Sequence, residues 1–129
     1  MLKGRERDLA EQRMWIKFQK KAVEIPEMTT EEFRGILFLG NKKQEEEAIG
    51  KLSPEKQGAY KKLKIVWYNA NYEYALELFG DEISEGEFRR VYNMSTDEQY
   101  LERDTFSQEK EAAFKHISCA FRLYLRAKG

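Results

Sequence analysis

The sequence has one cysteine and one histidine in 129 residues. A single thiol closes no intrachain disulfide, and one Cys with one His cannot build a zinc or iron–sulfur site from soft ligands. One His also excludes most triad and histidine-based metal chemistry. Valine occurs three times and threonine four times, which argues against sheets. Net charge is absent too. Lys plus Arg and Asp plus Glu are 23 each, so the chain does not coat nucleic acid by bulk charge. No apolar run approaches the ~20 residues that span a bilayer. The best candidate, Ile65 to Tyr72, is interrupted by Asn69 and Asn71. The first thirteen residues lack the apolar core of a secretory signal, and the unpaired thiol of Cys119 suits a reducing compartment, so a cytoplasmic location is expected.

What is present is helix-forming. Ala, Leu, Glu, Lys, Arg, Gln and Met make up more than half of the chain. The length fits one domain, and the expectation is an all-α, single compact multi-helix bundle over residues 1–129, with five to seven helices. Punctuation marks their ends. A first helix runs from about Arg5 to Ile25 and stops before Pro26. Thr29 and Glu32 form a capping box, and the helix after them ends near Leu39, where Gly40 takes the left-handed position. Lys43 to Lys51 is short. Ser53-Pro54 starts a long helix over about 54–79 that closes at Gly80. Ser84 with Glu87 and Ser95 with Glu98 open two more. Thr105 with Gln108 is a weaker start for a long C-terminal helix over about 106–127.

At 3.6 residues per turn, the long central helix carries two opposed apolar stripes. One holds Ala59, Tyr60, Leu63, Val66, Trp67, Ala70 and Tyr74. The other holds Ile65, Tyr68, Tyr72, Leu76 and Phe79. Two stripes need two partners. Either both are covered by other helices of the chain, or one meets another protein, for which Tyr and Trp are well suited. The first helix adds a basic face of Arg13, Lys17, Lys20 and Lys21. Residues 1–23 carry seven basic and three acidic groups, whereas residues 69–87 carry six acidic groups and no basic one. That asymmetry fits an internal match or a docking surface for an acidic partner. Leu9, Ile16 and Val23 recur every seven residues on a further side of the same helix.

Catalytic and metal motifs are weak. Asp81 to Phe88 resembles the second half of a calcium loop, but Leu76, Leu78 and Gly80 stand where oxygen ligands are needed. Gly35 to Lys42 lacks the Gly-Lys-Ser/Thr end of a phosphate loop. His116 and Cys119 sit three apart with no further soft ligand, and no Glu-x-x-His pair exists. Glu73 and Glu77 lie one turn apart without a nucleophile or an orienting group. No cofactor, no metal and no catalytic activity are expected, and a carboxylate-based enzyme ranks third among the functions.

The leading expectation is a small protein-binding module acting as a regulator, adaptor or inhibitor. Its partner is another protein or a second copy in a homodimer. The expected contact residues are Arg13, Lys17, Lys20, Lys21, Ile65, Tyr68, Tyr72 and Leu76. The alternative is a nucleic-acid-binding regulator with a helix-turn-helix-like segment at 43–68. There Gln57, Lys61 and Lys64 share a face, with Lys56 adjacent.

Overall fold

A computed structural model describes residues 1–129. It holds seven helices and no strand, with 76% of residues helical, in a compact all-α bundle. They are α1 (Gly4–Ala22), α2 (Thr30–Leu37), α3 (Lys42–Gly50), α4 (Pro54–Leu78), α5 (Glu85–Tyr92), α6 (Thr96–Arg103) and α7 (Gln108–Lys128).

Side-chain oxygens set most of the helix starts. Thr29 Oγ1 accepts from the Glu32 amide at 3.0 Å, and the Glu32 carboxylate accepts from the Thr29 amide at 3.3 Å, so this capping box is complete. Asn41 Oδ1 accepts two amides, from Lys43 and Gln44, and starts α3. Ser53, Ser84 and Ser95 cap α4, α5 and α6. Gly40 takes φ +71°, the left-handed conformation expected after α2. The C-terminal helix departs from its expected start. Ser107, not Thr105, accepts the Lys110 amide, and α7 begins at Gln108. The Thr105 hydroxyl instead donates back to the Glu102 carbonyl at 2.6 Å. It closes α6, and Phe106 remains in the connection.

Helix α4 is the axis of the molecule, and α1 and α7 both run antiparallel to it. For α1, the Leu2 amide donates to the Leu78 carbonyl while Lys17 reaches Glu73. For α7, His116 packs on Phe79 and Tyr124 on Tyr72. Both apolar stripes of α4 pack within the chain, the second only in part because Ile65, Tyr68 and Leu76 stay half-buried, and the division runs along the helix as well as around it. Its N-terminal half supplies Ala59, Tyr60, Leu63, Trp67 and Ala70 to one core, with Met14, Phe18 and Ala22 of α1 and Phe33 of α2. Its C-terminal half supplies Tyr72, Ala75 and Leu78 to a second core, with Phe79, Ile83, Phe88 and Val91 around α5 and with Phe114, Ile117 and Phe121 of α7. Tyr74 touches both.

Aromatic rings dominate each core. Trp67 meets Trp15 and Phe18, each with centroids 5.1 Å apart, while Phe33 lies 5.3 Å from Tyr60. In the second core Phe121 lies 4.8 Å from Tyr72 and crosses Phe88 edge-on at 5.6 Å. Such pairs add roughly 0.5–1.5 kcal/mol each beyond the area they bury.

Candidate interaction surfaces

The expected docking residues divide into three groups. Arg13 and Lys17 are engaged by the chain itself. Arg13 pairs with Glu77, and Lys17 Nζ bonds Glu73 Oε2 at 3.1 Å. The basic face of α1 and the acidic run of α4 thus meet inside the molecule. These pairs are largely exposed, so each is worth at most about 1 kcal/mol. Both carboxylates of the Glu73–Glu77 pair are occupied by these cations. Lys20 and Lys21 are exposed and belong to no ion pair. With Lys17, Val66, Asn69, Ala70 and Glu73 they border a shallow groove of about 320 Å³.

The aromatic half of the expected site is largely inside. Tyr72 is 2% exposed. Its hydroxyl donates to Glu85 Oε2 at 3.1 Å and accepts from Arg89 Nε at 3.2 Å. Burial pushes the phenol above its usual value. The bond to Glu85 adds to this, and Arg89 opposes it. Tyr72 therefore holds α5 to α4 and is not available to a partner. Ile65, Tyr68 and Leu76 are half-buried. Of these, only Tyr68 borders an open groove, a space of about 330 Å³ between α1 and α7 whose floor includes Trp67, Tyr74 and Leu78.

The residues of the helix-turn-helix alternative have internal work. Lys56 bonds Glu32 at 2.7 Å, Lys64 bonds Glu45 at 2.8 Å, and the Gln57 amide donates to the Leu52 carbonyl at 3.1 Å. Burial pushes the Glu45 carboxyl up, but Lys64 and the Tyr60 hydroxyl together outweigh it and hold the group below its ordinary value. Lys61 remains exposed and unpaired, as does its neighbour Lys62.

On α7, His116 and Cys119 are exposed, and no group of three or more His, Cys, Asp or Glu converges anywhere in the chain. In the partial calcium loop, Ser84 caps α5 and Glu87 pairs with Lys110. No helix is long and apolar enough to cross a membrane.

Two exposed apolar features lie outside the expected contact set. On the face of α1 turned away from α4, Leu9, Ile16 and Val23 are 39%, 50% and 80% exposed. Their seven-residue spacing is visible in the sequence, but periodicity does not say which of two apolar sides faces the core. On α6, Tyr100 and Leu101 are 74% and 69% exposed. Adjacent residues on a helix point about 100° apart, so this pair has no amphipathic signature.

No protein family, curated protein or solved structure matches this chain.

Proposed function

We propose that the protein is a protein-binding module that docks an acidic amphipathic segment of another protein against the outer face of α1. The observation that carries this reading is the open Leu9–Ile16–Val23 stripe. The apolar stripes of α4 are buried or half-buried by the chain, whereas this one, about four helical turns long, faces solvent along its whole length. Its heptad spacing matches the contact line of one helix lying along another. Lys20 lies directly beside the stripe and has no intrachain acid, whereas Lys21 stands toward the groove between α1 and α4. The polarity of the flank selects the partner. A second copy would bring like charges together, whereas an acidic helix matches them.

The test uses immobilised full-length protein and cell extract. The wild type is expected to retain a specific protein. Ile16→Asp is expected to lose it, and Lys20→Glu to weaken retention most at low salt. Light scattering should give a monomer. Identical retention by wild type and Ile16→Asp, each folded by circular dichroism, refutes the reading.

A further inference from the structure

Helices α1 and α7 each pack on α4 but scarcely on one another. The strip of α4 between them is left open as a groove of about 330 Å³. Its floor is the line Trp67, Asn71, Ala75 and Leu78, which recurs every three or four positions and so lies on one face of the helix. Tyr68 and Tyr74 flank that line, and α7 supplies the far wall. Asn71, the one polar residue of the floor, turns its amide back onto its own helix and donates to the Trp67 carbonyl at 2.8 Å. Eight of the eleven lining residues are apolar, and none is acidic.

The two ends of the groove differ. The Leu2 amide bonds the Leu78 carbonyl at 2.9 Å, and the His116 ring lies 5.0 Å from Phe79. The start of α1 and His116 of α7 therefore meet α4 at its Leu78 end. That end carries Arg7, the groove's one permanent cation, and the ring nitrogens of His116. Arg7 is exposed and pairs with no acid of the chain. Because α7 is antiparallel to α4, with Tyr124 on Tyr72, Leu123 falls at the other end, beside Trp67 and Tyr68. That end has no charge, and Leu123 stays 41% exposed on its rim.

Dimensions narrow the ligand. From Trp67 to Leu78 the floor is about 16 Å long at the helical rise of ~1.5 Å per residue. An extended chain advances roughly 1.2 Å per bond, so about thirteen bonds span it. A methylene has about the bulk of a water, ~30 Å³, so the volume holds about eleven in a row. Length and volume agree on one unbranched chain, and the cation at one end matches an anionic head.

We propose that this groove binds a free medium-chain carboxylate, an unbranched acid of about ten to twelve carbons. The carboxylate lies beside Arg7 and His116, and the chain runs over Ala75 and Asn71 to Trp67 and Leu123. Arg7 and Ile16 point about 180° apart around α1, so this site and the outer stripe of that helix stand or fall separately.

Hexanoate, octanoate, decanoate and, as the uncharged control, 1-octanol are each titrated into ¹⁵N-labelled protein below the concentration at which they form micelles. Decanoate is expected to shift the Trp67 indole N–H and the amides of Tyr68, Ala75, Cys119 and Leu123. Affinity should rise roughly threefold per added methylene along the acid series. Octanoate should bind about tenfold more tightly than 1-octanol, the effect of one charge-assisted contact. Arg7→Gln, a change at an exposed residue, should bring octanoate down to the level of 1-octanol. Leu123→Asp places a like charge at the apolar end and should weaken decanoate by about tenfold or more. Far-UV circular dichroism checks that both variants fold, and the chain-length series on the wild type needs neither. The proposal is overturned if no shifts occur, if they centre on Leu9, Ile16 and Val23, if affinity is independent of chain length, or if folded Arg7→Gln keeps the preference for octanoate.

Discussion

At the residue scale, two buried polar arrangements have opposite energetic signs. Ser118 keeps a hydroxyl without a partner, so Ser118→Ala should raise stability by about 1 kcal/mol, read as a higher urea midpoint at unchanged slope. Glu45 is satisfied twice, by Tyr60 at 2.7 Å and Lys64 at 2.8 Å, so Glu45→Gln should cost about 1 kcal/mol at neutral pH. The acid side of the pH dependence follows from the direction of the shift. Glu45 titrates below its ordinary 4.5 in the folded chain. Its contribution is present above that value and drains away as pH falls below it. The gap in melting temperature between wild type and Glu45→Gln should therefore narrow on acidification. Tyr60 behaves in reverse. Burial first, and then the Glu45 bond, raise its phenol far above 10, so the folded chain holds that proton more tightly than the unfolded one. Stability from this group persists below pH 10 and falls as pH rises beyond it. Tyr60→Phe should flatten that alkaline loss.

At the element scale, the helices were legible in the sequence because caps are local. Thr29, Ser53, Ser84 and Ser95 each bind the amide three residues on, a contact that needs no knowledge of the fold. The error at α7 arose from the same locality. Thr105 and Ser107 are both competent caps, and the choice fell to Ser107 once Thr105 turned its hydroxyl back to Glu102. Ser107→Ala should cost about 1 kcal/mol and speed hydrogen exchange at the Lys110 amide, whereas Thr105→Ala should leave that amide unchanged. The candidate surface was less legible. Composition and spacing identified the cations of α1 and both stripes of α4, yet only packing reveals that Tyr72 is sealed beneath Phe121 and that Arg13 and Lys17 are committed to Glu77 and Glu73. Opposite faces of α1 should differ sharply in mutational cost. Phe18→Ala removes a fully buried ring and should cost roughly 3–5 kcal/mol, while Val23→Ala should stay within about 0.5 kcal/mol by chemical denaturation.

At the scale of the whole molecule, the two cores share one 25-residue helix. Neither core is built from sequence neighbours alone, because α1 must return along α4 to complete the first and α7 to complete the second. Cooperative unfolding therefore depends on the continuity of α4 near Asn71, where one core gives way to the other. The wild type should unfold in a single calorimetric transition. Asn71→Pro removes a backbone hydrogen bond at that junction and should cost about 3 kcal/mol or more. It should also split the transition in two, with α5–α7 amides exchanging separately from those of α1 and α2.

Both indoles, Trp15 and Trp67, lie in the α1–α2 half with centroids 5.1 Å apart, and Trp15 precedes Ile16 in the chain. The molecule thus carries an unlabelled optical probe, with Trp15 beside the outer stripe of the first helix and Trp67 on the floor of the groove that α1 shares with His116, Cys119 and Leu123 of α7. Ultraviolet emission will register an event along the first helix, and replacing one indole at a time will tell it from an event on the α7 side of that groove without attaching a dye.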